Sequence, residues 1–149
     1  MHALNDANFS QAAPEPPEQP VLFDDRHNLS LIHRSLSMND ETPIEIDCHS
    51  VAARLQAAGS FVLVDCREPD EHAIAHIEGS RPLPMSELGS RLAELEPLRD
   101  CELAVHCHHG GRSLKVARWL REQGFAGAQS MAGGIDEWSQ VIDPAVPRY

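Results

Sequence analysis

The segment Cys107-His108-His109-Gly110-Gly111-Arg112 puts a nucleophile, two imidazoles, two glycines and a guanidinium at consecutive positions. Before it, Leu103-Ala104-Val105-His106 reads as a buried strand; after it, Ser113 to Gln123 reads as an amphipathic helix. A strand-to-helix loop of this kind lies beyond the carboxyl edge of an α/β sheet, where ligands bind. Its N–H groups and the start of the helix make a pocket for an anion. Gly110 and Gly111 permit the positive φ angles that let backbone curl around a bound group.

A cysteine at the start of such a cradle is expected to titrate low. The helix end contributes about half a positive charge, and Arg112 and any protonated histidine add to it. Similar settings bring a thiol from about 8.5 to between about 3.5 and 7.5. Cys107 is then a thiolate near neutrality, and the same N–H groups suit a terminal persulfide anion. The competing reading is an inert cysteine at a strand end, which leaves the two glycines and Arg112 without a role.

His106, Cys107, His108 and His109 are also metal-ligand types. Neighbouring residues at a strand end point in different directions, so no functional metal site and no cofactor is assigned. His108 and His109 instead offer positive charge beside the thiolate. If they supply it, the support they give the thiolate weakens as pH rises through about 6.5.

The positioning elements follow from the hydrophobic pattern. Ile44 to Ile46 reads as a brief strand. Asp47 or Ser50 caps a helix with Val51, Leu55 and Ala58 inside, stopped at Gly59. Phe61 to Val64, ending at Asp65, has the continuous apolar character of a strand covered on both faces. Pro69 opens a short helical turn through Ala73, and Arg81 to Pro84 is extended. Ser86 starts a helix lined by Leu88, Leu92 and Leu95 and ended by Pro97. In the helix from Ser113, Leu114, Ala117 and Leu120 face inward with Val116 and Trp119, while Lys115, Arg118, Arg121 and Glu122 point away. A last strand spans Ala126 to Met131, and Gly133-Gly134 lead into a short helix anchored by Ile135 and Trp138. Strand and helix alternate, so the prediction is a mostly parallel sheet with helices on both faces.

Residues 1–40 read differently. Pro14, Pro16, Pro17 and Pro20 stand among Gln, Glu and Ala without an apolar period, as in a flexible acidic tail. Leu29, Leu31, Ile32 and Leu36 are the one patch there suited to docking, and Met38 is an alternative start. The predicted domain is 41–149.

The 149 residues carry a formal net charge of −11, which disfavours nucleic acid and anionic lipid as partners. No apolar run is long enough to span a membrane, and the N-terminus lacks the layout of a signal peptide. A cytoplasmic location is the expectation, with Cys48, Cys66, Cys101 and Cys107 as thiols.

Over about residues 44–149 the sequence resembles the rhodanese family of sulfurtransferases. The resemblance rests on Asp65-Cys66-Arg67-Glu68-Pro69, on His76-Ile77-Glu78-Gly79-Ser80, on the Cys107 loop, and on Ala132-Gly133-Gly134-Ile135-Asp136-Glu137-Trp138, in that order. It implies a three-layer α/β fold with a five-stranded sheet, and ping-pong transfer of sulfur through a Cys107 persulfide. His108, His109, Gly110, Gly111, Arg112 and Ser113 would then bind the substrate. The partners implied are a donor such as thiosulfate and a thiol or cyanide-like acceptor, or a sulfur-accepting protein.

Asp65, Arg67 and Glu68 are expected behind the pocket as supports, with Arg67 or Glu68 pairing with Arg112. His76 is expected to pack or hydrogen-bond. Where Cys66 stands the family often has Val; Cys66 is either a buried strand-end residue or a thiol able to resolve the persulfide. The ending Asp143 to Tyr149 resembles rhodanese domains fused to adenylating enzymes of molybdopterin and thiocarboxylate pathways. The alternatives are a relay partner of such an enzyme or a non-catalytic binding module, although the latter typically lacks the cysteine. Related tyrosine and dual-specificity phosphatases use a loop one residue longer than the four residues between Cys107 and Arg112.

Overall fold

The computed structural model describes residues 42–149. The expected tail over 1–40, its patch at Leu29 to Leu36 and Met38 lie outside the described residues.

Five parallel strands carry the fold: β1 (Glu45–Ile46), β2 (Val62–Asp65), β3 (Arg81–Pro82), β4 (Leu103–His106) and β5 (Ala128–Met131). Their order in the sheet is β1-β5-β4-β2-β3, and every pairing is parallel. Four helices lie between them, α1 (Cys48–Gln56), α2 (Pro69–Ile74), α3 (Leu88–Arg91) and α4 (Gly111–Glu122), and α5 (Gly134–Val141) follows β5. The three-layer α/β architecture is as the sequence implies.

Side chains along a strand alternate between faces, and each face of the sheet has its own core. On one side Val64, Leu103 and Val105 pack with Leu88, Leu95, Val116, Leu120 and Phe125. On the other, Leu63, Ala104 and Met131 pack with Val51, Ile77, Ile135 and Trp138. Burial on both faces explains why β2 and β4 read as unbroken apolar runs.

Several local expectations change. Asp47 does cap α1, accepting the Ser50 N–H at 2.9 Å, but the helix ends at Gln56, ahead of Gly59. The helix expected from Ser86 is divided into a 3-10 turn at Met85–Glu87, the short α3, and a second 3-10 stretch at Leu92–Leu98 that contains Pro97. Gly89 and Ser90 are weak helix formers, and Pro97 has no N–H to give to the preceding turn. Leu88 and Leu95 still reach the core, which is all the packing requires. Arg121 folds back instead of pointing away, donating through Nε to the Ala128 carbonyl at 2.7 Å. Among the described residues, no helix is long and apolar enough to cross a membrane.

Candidate active site

β4 delivers Cys107 to the carboxyl edge of the sheet, and α4 begins four residues later. Gly110, at φ +99°, is the residue that turns the chain. The turn brings the Gly110 N–H to 3.1 Å from the Cys107 Sγ. The Ser113 hydroxyl lies 3.5 Å from the same sulfur. That hydroxyl is itself fixed by Ser130 Oγ at 2.9 Å and the Gly110 carbonyl at 3.1 Å.

The loop is also gripped from below. The first N–H groups of α5 meet carbonyls of the loop: Ile135 donates to Cys107 at 2.9 Å and Asp136 to His108 at 3.1 Å. With these carbonyls drawn to α5, the Gly110 N–H is left to face the sulfur. The contact needs Gly134, whose φ is +61° and where a Cβ would sit 2.3 Å from the His108 oxygen and 2.5 Å from that of Cys107. A Gly134→Ala variant is therefore expected to displace the loop. The φ alone costs about 1–3 kcal/mol, and a shift near 1 Å costs about 100-fold in rate. Urea denaturation and the rate at which Cys107 is alkylated measure the two losses separately.

Cys107 is buried, with 1 % of its surface exposed. Its thiol nevertheless titrates well below the ordinary range. The largest cause is the neighbouring Cys66 thiol; burial opposes it, and Ser113 and the Gly110 N–H add to the lowering. Cys66 is pushed the other way, with Cys107 as the largest cause. The helix end contributes as expected, through the Ser113 and Gly110 N–H groups, while the largest cause lies on the neighbouring strand.

Arg112 is itself engaged. Its two terminal nitrogens bind the two Glu71 oxygens at 2.6 Å each, and Arg112 in turn holds Glu71 down at about 2. The expected partners of Arg112, Arg67 and Glu68, are engaged elsewhere. Glu68 binds Ser86, with Oε2 accepting from the hydroxyl at 2.7 Å. Arg67 is fully buried and donates through Nε to Asp65 Oδ1 at 2.9 Å and through Nη2 to the Ala75 carbonyl at 2.7 Å. Burial alone would raise the Asp65 carboxyl, but Arg67, His106 and His72 together hold it down at about 2. Asp65, Arg67 and Glu68 therefore brace the elements around the loop and do not touch Cys107.

The histidines separate. His106 points to the opposite face, where its Nε2 lies 3.8 Å from Asp65 Oδ2. His108 lies tilted against His109 at 4.0 Å and stacks on Tyr149 at 4.3 Å. Burial and then the His109 charge push His108 below its usual range, so its positive charge is lost at lower pH than the 6.5 expected of a free imidazole. His76 is exposed and stacks on His72 at 4.9 Å. Among the described residues, His108, His109 and Asp136 offer ligand atoms within 4.8 Å of one another. Asp136, however, is bound by Arg148 at 2.8 and 3.2 Å.

Two contributors escaped the reading of the sequence. Glu71 lies 41 positions from Arg112, and nothing local marks it over Glu68. Tyr149 closes on the site from the far end of the chain, its hydroxyl accepting from Arg67 Nη1 at 2.7 Å and donating to Glu71 at 3.3 Å.

The model of the rhodanese-like domain matches residues 48–141. The chain belongs to the rhodanese-like family. A protein of Allochromatium vinosum named sulfurtransferase is 32 % identical over 102 residues, covering 68 % of this chain and 94 % of that one. The thiosulfate sulfurtransferase GlpE of Ectopseudomonas mendocina is 37 % identical over 87 residues, covering 58 % and 77 %. This rhodanese-like chain also matches a larger protein of Zea mays named adenylyltransferase and sulfurtransferase MOCS3-2, at 37 % over 109 residues, but spans only 23 % of its length. It spans 30 % of a rhodanese-like/PpiC domain protein of Arabidopsis thaliana. Among solved structures, the human single-domain sulfurtransferase TSTD1 superposes with a TM-score of 0.60 at 29 % identity, covering 66 % of this chain and 97 % of that one.

Proposed function

We propose that this rhodanese-like domain is a sulfurtransferase that carries sulfane sulfur on Cys107. The observation that carries the reading is a buried sulfur, low in titration, with the Gly110 N–H set on it at 3.1 Å. The names of the Allochromatium and Ectopseudomonas relatives support it.

The Cys107 thiolate attacks the outer sulfur of thiosulfate. The S–S bond of the donor breaks, and its electron pair leaves with sulfite. The enzyme then holds a Cys107 persulfide, whose terminal anion takes the N–H groups of the loop. A thiophilic acceptor, such as a thiol or cyanide, attacks that outer sulfur and releases the thiolate. His108, His109, Gly110, Gly111, Arg112 and Ser113 form the binding loop. With its charge offset by Glu71, Arg112 braces the loop and presents donors to an anionic substrate. A reducing compartment such as the cytoplasm suits a mechanism that needs the free thiolate.

Intact mass after mixing with thiosulfate is the test. The expected result is a gain of one sulfur atom, reversed by cyanide and located by peptide mapping on the segment holding Cys107. No gain with thiosulfate or mercaptopyruvate removes small-molecule transfer. A protein-fed relay is the second reading, favoured by the Zea mays alignment, which covers 70 % of this chain. Loading of Cys107 by a persulfidated protein donor alone would select it.

A further inference from the structure

β2 and β4 lie side by side, with Val64 opposite Val105 and Asp65 opposite His106. The Cys66 N–H extends this ladder by donating to the His106 carbonyl at 3.0 Å. The next step of the register sets Cys66 beside Cys107. Alternation along the strands puts both on the face of Val64 and Val105, and both belong to that core. Neither is exposed, at 0 % and 1 %. Cys66 is also held from its other edge, where the Met85 N–H donates to its carbonyl at 3.0 Å.

A thiolate has no proton of its own, and water does not reach this one. Its stability depends on the donors around it. Gly110 supplies one from the loop side; the strand side is occupied by Cys66. Building on the reading of Cys107 as the sulfur carrier, we propose that Cys66 is a positioning residue, whose S–H donates to the Cys107 sulfur and holds it as an aimed thiolate. A thiol is a weak donor, but a bond to a charged acceptor is stronger than a neutral one. The opposite directions in which the two thiols titrate agree with one shared proton held on Cys66.

Other charged groups surround the pair. Asp65 and His106 lie on the opposite face of the same two strands, with Arg67 behind Asp65. Arg112 of α4 is near enough for its charge to act on both thiols, with Glu71 of α2 on its nitrogens. His108 and His109 stand in the loop. A substitution at Cys66 leaves these in place, so the change it causes belongs to the S–H.

The test is the titration of Cys107 followed by ultraviolet thiolate absorbance, with each protein compared to its own Cys107→Ser counterpart. Cys66→Ala is expected to raise the apparent pKa by about one unit, a tenfold loss of thiolate in the titrating range. Cys66→Ser retains a donor and is expected to stay near the wild type. If the alanine variant does not fold, Cys66→Val serves, being close in bulk and unable to donate. Coincident titration of the non-donating variant and wild type overturns the proposal, as does a serine variant displaced as far as alanine. The titration uses no sulfur donor, so it reads this inference even in a protein that never accepts sulfur.

Discussion

Cys107→Ser is expected to reduce sulfur loading to background, a fall of at least about 10⁴-fold, on the scale of nucleophile knockouts that leave the rest of a site intact. The reason is electronic. The hydrogen bonds that stabilise a thiolate at this position cannot bring a serine hydroxyl into its anionic range, and an alkoxide is the form that would have to attack. The fold should survive, because serine is smaller than cysteine and meets a hydroxyl environment at Ser113 and Ser130. A change within about 1–2 kcal/mol is expected in urea denaturation. Intact mass with thiosulfate measures the loading. If the variant still gains sulfur, another cysteine carries it. Cys101 would then be the first suspect, as the only one of the four that is not buried.

The loop itself was legible because its information is local. Nucleophile, turn and helix start lie within a few residues, so the strand before and the helix after place them without any tertiary knowledge. What failed to read out depends on contacts between distant segments. Glu68 and Glu71 are the same residue type three apart, yet only Glu71 reaches the Cys107 loop, while Glu68 turns to Ser86. The choice is made by how α2 lies against the loop, which no spacing encodes. The largest cause of the low Cys107 titration lies outside the loop for the same reason. Arg112 looks like an available cation in sequence, but Glu71 binds it, and Cys66 comes to stand beside Cys107 only through the register of β2 on β4. The helix expected from Ser86 shows a different limit. Leu88, Leu92 and Leu95 have helical spacing, and a single α-turn followed by a 3-10 stretch serves the same leucines once Gly89, Ser90 and Pro97 weaken the longer helix.

The largest stability loss is expected away from the nucleophile, at Asp65. Its carboxylate and the Arg67 guanidinium are both buried, at 1 % and 0 % exposure of their side chains. The guanidinium stays charged whatever happens to its partner. Asp65→Ala therefore leaves a buried cation without its counter-charge, a change that costs about 3–5 kcal/mol. His72 loses its partner as well, since its Nδ1 lies 2.9 Å from Asp65 Oδ2. Asp65→Asn, which keeps one acceptor oxygen, should lose less. The loss also has a signature in pH. An aspartate titrates near 3.9 in an unfolded chain, while Asp65 is held at about 2 in the fold. Its contribution is thus complete above the unfolded value and is lost as pH falls through the folded one. Wild type and Asp65→Ala are expected to differ most near neutrality and to converge on acidification between about pH 4 and about pH 2. Glu71 is depressed in the same sense, with Arg112 as its largest cause, but it is present in both proteins and cancels in the difference. Chemical denaturation of the two at several pH values measures this. A gap that stays constant down to acid would mean that Asp65 contributes through packing and not through its charge.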